Sequence, residues 1–146
     1  MLNLFAHIFL HKSEATGHHE DVKRPIRVLI ADDHLLFTEA LEAILSGDER
    51  IEVAGRARDG GEAVKMARKL KPDLVLMDVS MPVLDGIEAT REIRAAGSNA
   101  VILMLTGSNS RSDVDSAREA GASGYVTKDR IASELVEVIV EVAQGR

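Results

Sequence analysis

From residue 25 onward the chain alternates between short apolar runs and longer segments with helical spacing. Residues 26–31 (Ile-Arg-Val-Leu-Ile-Ala) are nearly all apolar, which predicts a strand buried on both faces. Over 34–45, Leu35, Ala40, Leu41, Ile44 and Leu45 recur at helical intervals, and Gly47 supplies a stop. Residues 51–57 alternate enough to form a second strand. Asp59 with Glu62 three positions on is a capping box for a helix running to about Leu70, and Pro72 breaks it. The run Leu74 to Met77 ends abruptly in Asp78, and Pro82 and Gly86 mark the turn that follows. A third helix spans 86–96 and stops at Gly97; a fourth strand spans 100–106. Small polar residues fill 107–110, a short helix covers 113–120, and a brief fifth strand, 124–127, runs into Lys128. The last helix, 131–143, carries a clear apolar stripe at Ile131, Leu135, Val138, Ile139 and Val142.

The order is thus (βα)5. Right-handed crossovers between such strands give an α/β fold, a doubly wound parallel five-stranded sheet with helices on both faces. Residues 25–146 are read as one domain and residues 1–24 as a flexible N-terminal extension. That extension has an apolar start followed by a polar stretch, but its first lysine comes after the apolar run, which is not how a secretory signal is built. His7 and His11 would share a face of a helix there. With no acid or cysteine clustered beside them, a mobile segment is the better reading than a metal site.

Composition narrows the chemistry. Hydrophobic residues make up 45% of the 146 positions but aromatics only 3%, so aliphatic side chains must build the core. There is no cysteine, which removes disulfides, thiolate metal sites and cysteine nucleophiles together. The net charge of −6, with no basic block, would repel a phosphate backbone, so no nucleic acid is expected to bind this chain itself. No apolar run approaches the roughly 20 residues that span a bilayer, and a cytoplasmic location follows as the expectation.

The strand ends carry the chemistry. The first closes on Asp32 and Asp33, the third on Asp78, the fourth on Thr106 and the fifth on Lys128. In a parallel sheet these ends share one edge, the edge where open α/β sheets bind ligands. Taken alone, Asp32 or Asp33 is a helix cap, Lys128 a solvated lysine, Thr106 a strand residue and Asp85-Gly86 a turn, and the turn reading is kept. Their convergence overturns the other bland readings. Three carboxylates repel one another unless a cation intervenes, and Mg2+ suits an oxygen-only site that also handles phosphate. Asp33 and Asp78 would be direct ligands and Asp32 a direct or water-mediated one. Lys128 would pair with Asp78 and later hold a phosphoryl oxygen, and Thr106 would donate to another. Such a site positions a phosphoryl group and neutralises its charge, with the Asp78 carboxylate as acceptor.

Asp32-Asp33, Met77-Asp78-Val79-Ser80-Met81-Pro82 with Asp85-Gly86, Thr106, and Gly124-Tyr125-Val126-Thr127-Lys128 together resemble the receiver domain of bacterial two-component response regulators. The likeness covers about residues 27–144, and the last helix with Ala120-Gly121-Ala122 resembles the branch with helix-turn-helix outputs. It implies a flavodoxin-like strand order 2-1-3-4-5, counted from the strand at residue 26. It also implies Asp78 as phospho-acceptor, Asp32 and Asp33 as the Mg2+ pair, and the Ser80 carbonyl as completing the metal site. Thr106 would shift toward the phosphate and let Tyr125 turn inward, repacking the face of the fourth helix, fifth strand and last helix; an amphipathic ring at the sheet edge is the plainer reading of Tyr125.

The implied partners are a sensor histidine kinase and, on phosphorylation, a second copy of the chain; no membrane is implicated. The output, expected to be transcriptional, is absent from these residues, and the helix ending near Gly145-Arg146 favours an excised receiver over a stand-alone one. Turnover as an enzyme is not expected. An Mg2+-dependent phosphohydrolase would need a second acid near the nucleophile, and Ser80 stands two residues after Asp78. A nucleotide- or flavin-binding protein on the same fold would need a glycine-rich loop where Asp32-Asp33-His34 stands. A receiver-like adaptor that never accepts phosphate is the remaining alternative.

Overall fold

The computed structural model describes residues 6–9, 24–107 and 111–145. The elements run β1 (Ala6–Ile8), β2 (Ile26–Ala31), α1 (Leu35–Ser46), β3 (Ile51–Ala57), α2 (Gly60–Leu70), β4 (Leu74–Asp78), α3 (Gly86–Ala95), β5 (Val101–Thr106), α4 (Arg111–Ala120), β6 (Gly124–Thr127), a 3-10 turn (Lys128–Arg130) and α5 (Ile131–Gly145). The sheet order is β1-β6-β5-β4-β2-β3. All pairs from β3 to β6 are parallel, so the five expected strands stand in the expected order.

The sixth strand was not expected. Ala6–Ile8 pairs antiparallel with the edge strand β6, with Ala6 opposite Val126 and Ile8 opposite Gly124. These residues belong to the segment read as a flexible extension, and for them that reading does not describe the structure. An edge strand leaves a row of N–H and C=O groups without partners, and a short added strand satisfies them. The expectation for the His7 and His11 side chains lies outside the described residues.

Alternation along the central strands feeds two cores. Val28, Ile30, Leu74, Leu76, Leu103 and Leu105 face α1 and α5, where Leu41, Leu45, Leu135 and Ile139 meet them. Leu29, Ala31, Val75, Met77, Ile102 and Met104 face the opposite way, toward Ala63, Ala67, Ala89, Ile93 and Ala117. Small alanines on α2, α3 and α4 let those helices lie close to the sheet. Asp59 caps α2 by accepting from the Glu62 amide at 2.8 Å. The second half of the expected box is displaced by one residue, because Glu62 accepts from the Arg58 amide at 2.7 Å.

Two glycines fix the loop beside β4. A Cβ at Gly86 would stand 2.0 Å from the Asp78 carbonyl oxygen, and one at Gly60 would stand 1.8 Å from that of Leu84. Neither backbone neighbour yields as a flexible side chain does. Gly86→Ala is therefore expected to destabilise the fold by roughly 1–3 kcal/mol or more, measured by urea unfolding. Gly107→Ala, where a Cβ meets nothing within 4 Å, is expected to stay within about 0.5 kcal/mol of the unaltered protein.

Candidate functional site

Because β2, β4, β5 and β6 run parallel, their carboxyl ends reach one rim. Asp32 follows β2 directly, anchored by its amide, which donates to the Ala57 carbonyl at 3.0 Å. Its side chain is wholly buried, and its Oδ1 accepts from the His34 amide at 2.9 Å. α1 begins with His34 as N-cap and no side-chain cap bond, so neither aspartate serves the helix as a cap in the way the bland reading required. Asp33 is partly exposed at the mouth.

Asp78 ends β4 with its side chain 6% exposed. Its Oδ1 accepts from the Ser80 amide at 3.4 Å and lies 3.4 Å from Lys128 Nζ. Lys128 Nζ also reaches Asp32 Oδ2 at 3.1 Å and sits 4.5 Å above the centre of the Phe37 ring. The ammonium is thus held between two carboxylates and an aromatic face. Thr106 closes β5 one residue beyond Leu105, the register partner of Asp78, and is buried opposite Thr127. Tyr125 lies two residues short of the rim, buried on the face of β6 toward α4.

Sequence reasoning missed two members of this cluster. The His34 imidazole, exposed to solvent, has Nδ1 2.9 Å from Asp32, 3.6 Å from Asp33 and 3.9 Å from Asp78. Its adjacency to the aspartate pair was a usable signal. Phe37 gave none, since its contact with Lys128 joins residues far apart in the chain.

The loop after β4 is tightly drawn. The Leu84 amide donates to the Pro82 carbonyl at 2.7 Å, closing a γ-turn over Val83 at φ 69°. A β-branched residue at positive φ is strained. The Gly86 amide returns to the Val79 carbonyl at 2.9 Å, and Asp85 caps α3 by accepting from Glu88 at 2.8 Å. In place of the plain turn read for Asp85-Gly86, Asp85 is the N-cap of α3 and Gly86 its first residue, with the added demand for a glycine at 86.

One ligand atom from each of Asp32, Asp33, His34 and Asp78 lies within 4.8 Å of the others. Asp32 Oδ2 and Asp78 Oδ2 are buried without an aligned hydrogen bond. Three carboxylates converging on one ammonium keep a surplus of negative charge, which suits a hard divalent cation with oxygen ligands, so the donor set fits Mg2+. Burial first, and the charge of Asp32 second, push the Asp78 carboxyl up to about 6, against the opposing pull of Lys128 and the Ser80 amide.

Residues 28–140 match the response regulator receiver domain family. The chain belongs to the response regulator receiver family. This receiver is 45% identical over 126 residues to the transcriptional regulatory protein PdtaR of Mycobacterium tuberculosis, covering 86% of this chain and 60% of that protein. It is 38% identical over 120 residues to DegU of Brevibacillus brevis, covering 82% and 51%. The chain thus spans about half to three-fifths of the length of these curated relatives. Among solved structures, the signal receiver domain of NarL from M. tuberculosis superposes with a TM-score of 0.80 at 31% identity, covering 84% of this chain and 99% of that one. A LuxR-family two-component response regulator from Aurantimonas sp. SI85-9A1 gives 0.78 at 38% identity, covering 84% and 87%. Among the described residues no helix is long and apolar enough to cross a membrane.

The raised Asp78 carboxyl has a consequence for stability without metal. The folded chain keeps this proton up to about pH 6, whereas the unfolded chain releases it near 3.8. Between those values the folded state binds more protons, so stability falls as pH rises through the window. In chelator, Asp78→Asn is expected to match the unaltered receiver near pH 4 and to exceed it by on the order of 1–3 kcal/mol near pH 7, measured by urea unfolding. Equal stability at both pH values would refute the burial argument.

Proposed function

We propose that this receiver is the phosphorylation-controlled switch of a two-component system, accepting a phosphoryl group on Asp78 from a sensor histidine kinase or a small acyl phosphate. The observation that carries the reading is the convergence on Asp78 of Asp32, Asp33 and Lys128, with the buried Asp78 Oδ2 left without a hydrogen bond. Mg2+, held by Asp32, Asp33, Asp78 and the Ser80 carbonyl, would neutralise charge on the phosphoryl oxygens. Asp78 supplies the attacking carboxylate oxygen, aimed by the Ser80 amide and Lys128. Once phosphate is in place Lys128 pairs with one of its oxygens and Thr106 donates to another. The movement of Thr106 and the inward turn of Tyr125 then repack the face formed by α4, β6 and α5.

That face regulates an output segment or partner, of transcriptional type by analogy with PdtaR and DegU, and a second copy of the chain is its natural phosphorylation-dependent partner. The receiver domain itself carries a net charge of the wrong sign for DNA, and its location is cytoplasmic. No general acid stands two residues after Asp78, where Ser80 is found, so slow hydrolysis and not turnover is the fate of the acyl phosphate.

Incubation with Mg2+ and a small acyl phosphate is expected to add one phosphate to Asp78 by intact mass. Asp78→Asn abolishes the gain, and Lys128→Gln or removal of Mg2+ lowers it by roughly 10²-fold or more. An unchanged mass in the unaltered protein would instead favour a non-phosphorylated adaptor, and steady release of phosphate from an ester would favour a phosphohydrolase.

A further inference from the structure

The strand β1 lies on the face that the proposed switch would use. Its backbone extends the sheet past β6, and the Phe9 amide continues the ladder by donating to the Ser123 carbonyl at 2.8 Å. The next two side chains straddle the sheet edge. Ile8 packs against the core shared with α1 and α5, and Phe9 against the core that holds Tyr125. The Phe9 and Tyr125 rings stand 6.0 Å apart at a 40° tilt, and the Arg118 guanidinium of α4 sits 4.8 Å above the Phe9 ring. An open cleft of about 390 Å3 remains between them, lined by Ile8, Phe9, Val114, Arg118 and Tyr125.

We infer that the edge formed by α4 and β6 is a strand-docking surface, and that the chain's own residues 6–9 occupy it as an intramolecular strap, excluding other partners and holding the Tyr125 ring in place. The chemistry of the surface is that of strand addition. Main-chain groups of β6 bind an extended segment, while Tyr125 and Arg118 clamp an aromatic anchor from two sides. A partner for the same face must present its own extended apolar segment or displace this one. The coupling of the strap to Asp78 rests on the switch reading given above. If phosphorylation moves Tyr125, it must disturb Phe9, and removal of Phe9 must then favour phosphorylation by the same factor.

The test compares the full chain, Phe9→Ala in the full chain, and a form lacking residues 1–24. Tyr125 is the sole tyrosine and there is no tryptophan, so tyrosine emission reports on this ring alone. Without a phosphoryl donor, acrylamide quenching of that emission should rise roughly two- to fivefold in both altered forms as the ring loses its cover. With Mg2+ and a small acyl phosphate at limiting concentration, both should carry roughly fivefold more phosphate by intact mass than the full chain. Unchanged quenching overturns the strap, and raised quenching with an unchanged phosphate level overturns its coupling to Asp78. A dimer of the full chain that dissociates when residues 1–24 are removed would show that β1 passes between copies, and overturns the intramolecular form. Absence of phosphate uptake in every form would count against the reading of Asp78, while the quenching would still decide the strap.

Discussion

The structure is organised around an electrostatic burden at the carboxyl rim of the sheet. Asp32 and Asp78 are buried side by side, with one ammonium and a few backbone amides to offset them. Carboxylates prefer water or a counter-charge, and this pocket gives Asp78 too little of either, which is why its proton is held so far above the usual range. The pocket is therefore compatible with a divalent cation. An isolated acid on a surface loop would have no such appetite.

Holding like charges together demands a frame that cannot relax away from them. β2 and β4 are buried on both faces, so neither strand can tilt to separate Asp32 from Asp78 without opening one of the two cores. The loop beyond Asp78 is pinned by Gly86 against the Asp78 carbonyl, by Gly60 against Leu84, and by a γ-turn that forces Val83 into positive φ. Strain of this kind persists only where its surroundings over-determine it. Here it keeps the Ser80 amide within reach of Asp78.

Much of this was legible in the sequence because both relevant signals are local. Apolar runs of four to six residues announce strands buried on both faces, and the first polar residue after each run marks the rim. Asp32, Asp78 and Thr106 follow that rule, Lys128 comes one residue after the polar Thr127, and the structure brings Asp32, Asp33, Asp78 and Lys128 to one place. What was not legible depends on contacts between distant segments. The Phe37 ring beneath Lys128 belongs to a helix face that looks ordinary in sequence. β1 is three residues long, too short for any periodicity, and its strand character comes entirely from the β6 edge it covers. Glu62 shows the same limit at small scale, since spacing located the cap yet did not fix which amide the carboxylate would accept from.

Strand parity links the rim to the far edge of the sheet. Thr106 lies two residues beyond Met104 and so shares its face of β5, the face toward α3 and α4. Met104 stands opposite Tyr125, whose ring meets Phe9 on that same side. Thr106, Met104, Tyr125 and Phe9 thus lie on one face of the sheet, with no crossing required, and the last three belong to one apolar cluster. Met104 and Tyr125 lie in the closely packed core, whereas the Phe9 end of the row borders the open cleft, so a displacement of the Tyr125 ring has room on that side. Only the Phe9 end of the row rests on a segment of three paired residues, where local opening is least costly. Any yielding in the row is therefore concentrated at β1, which is where, under the switch proposed above, a change at Asp78 would reach the surface.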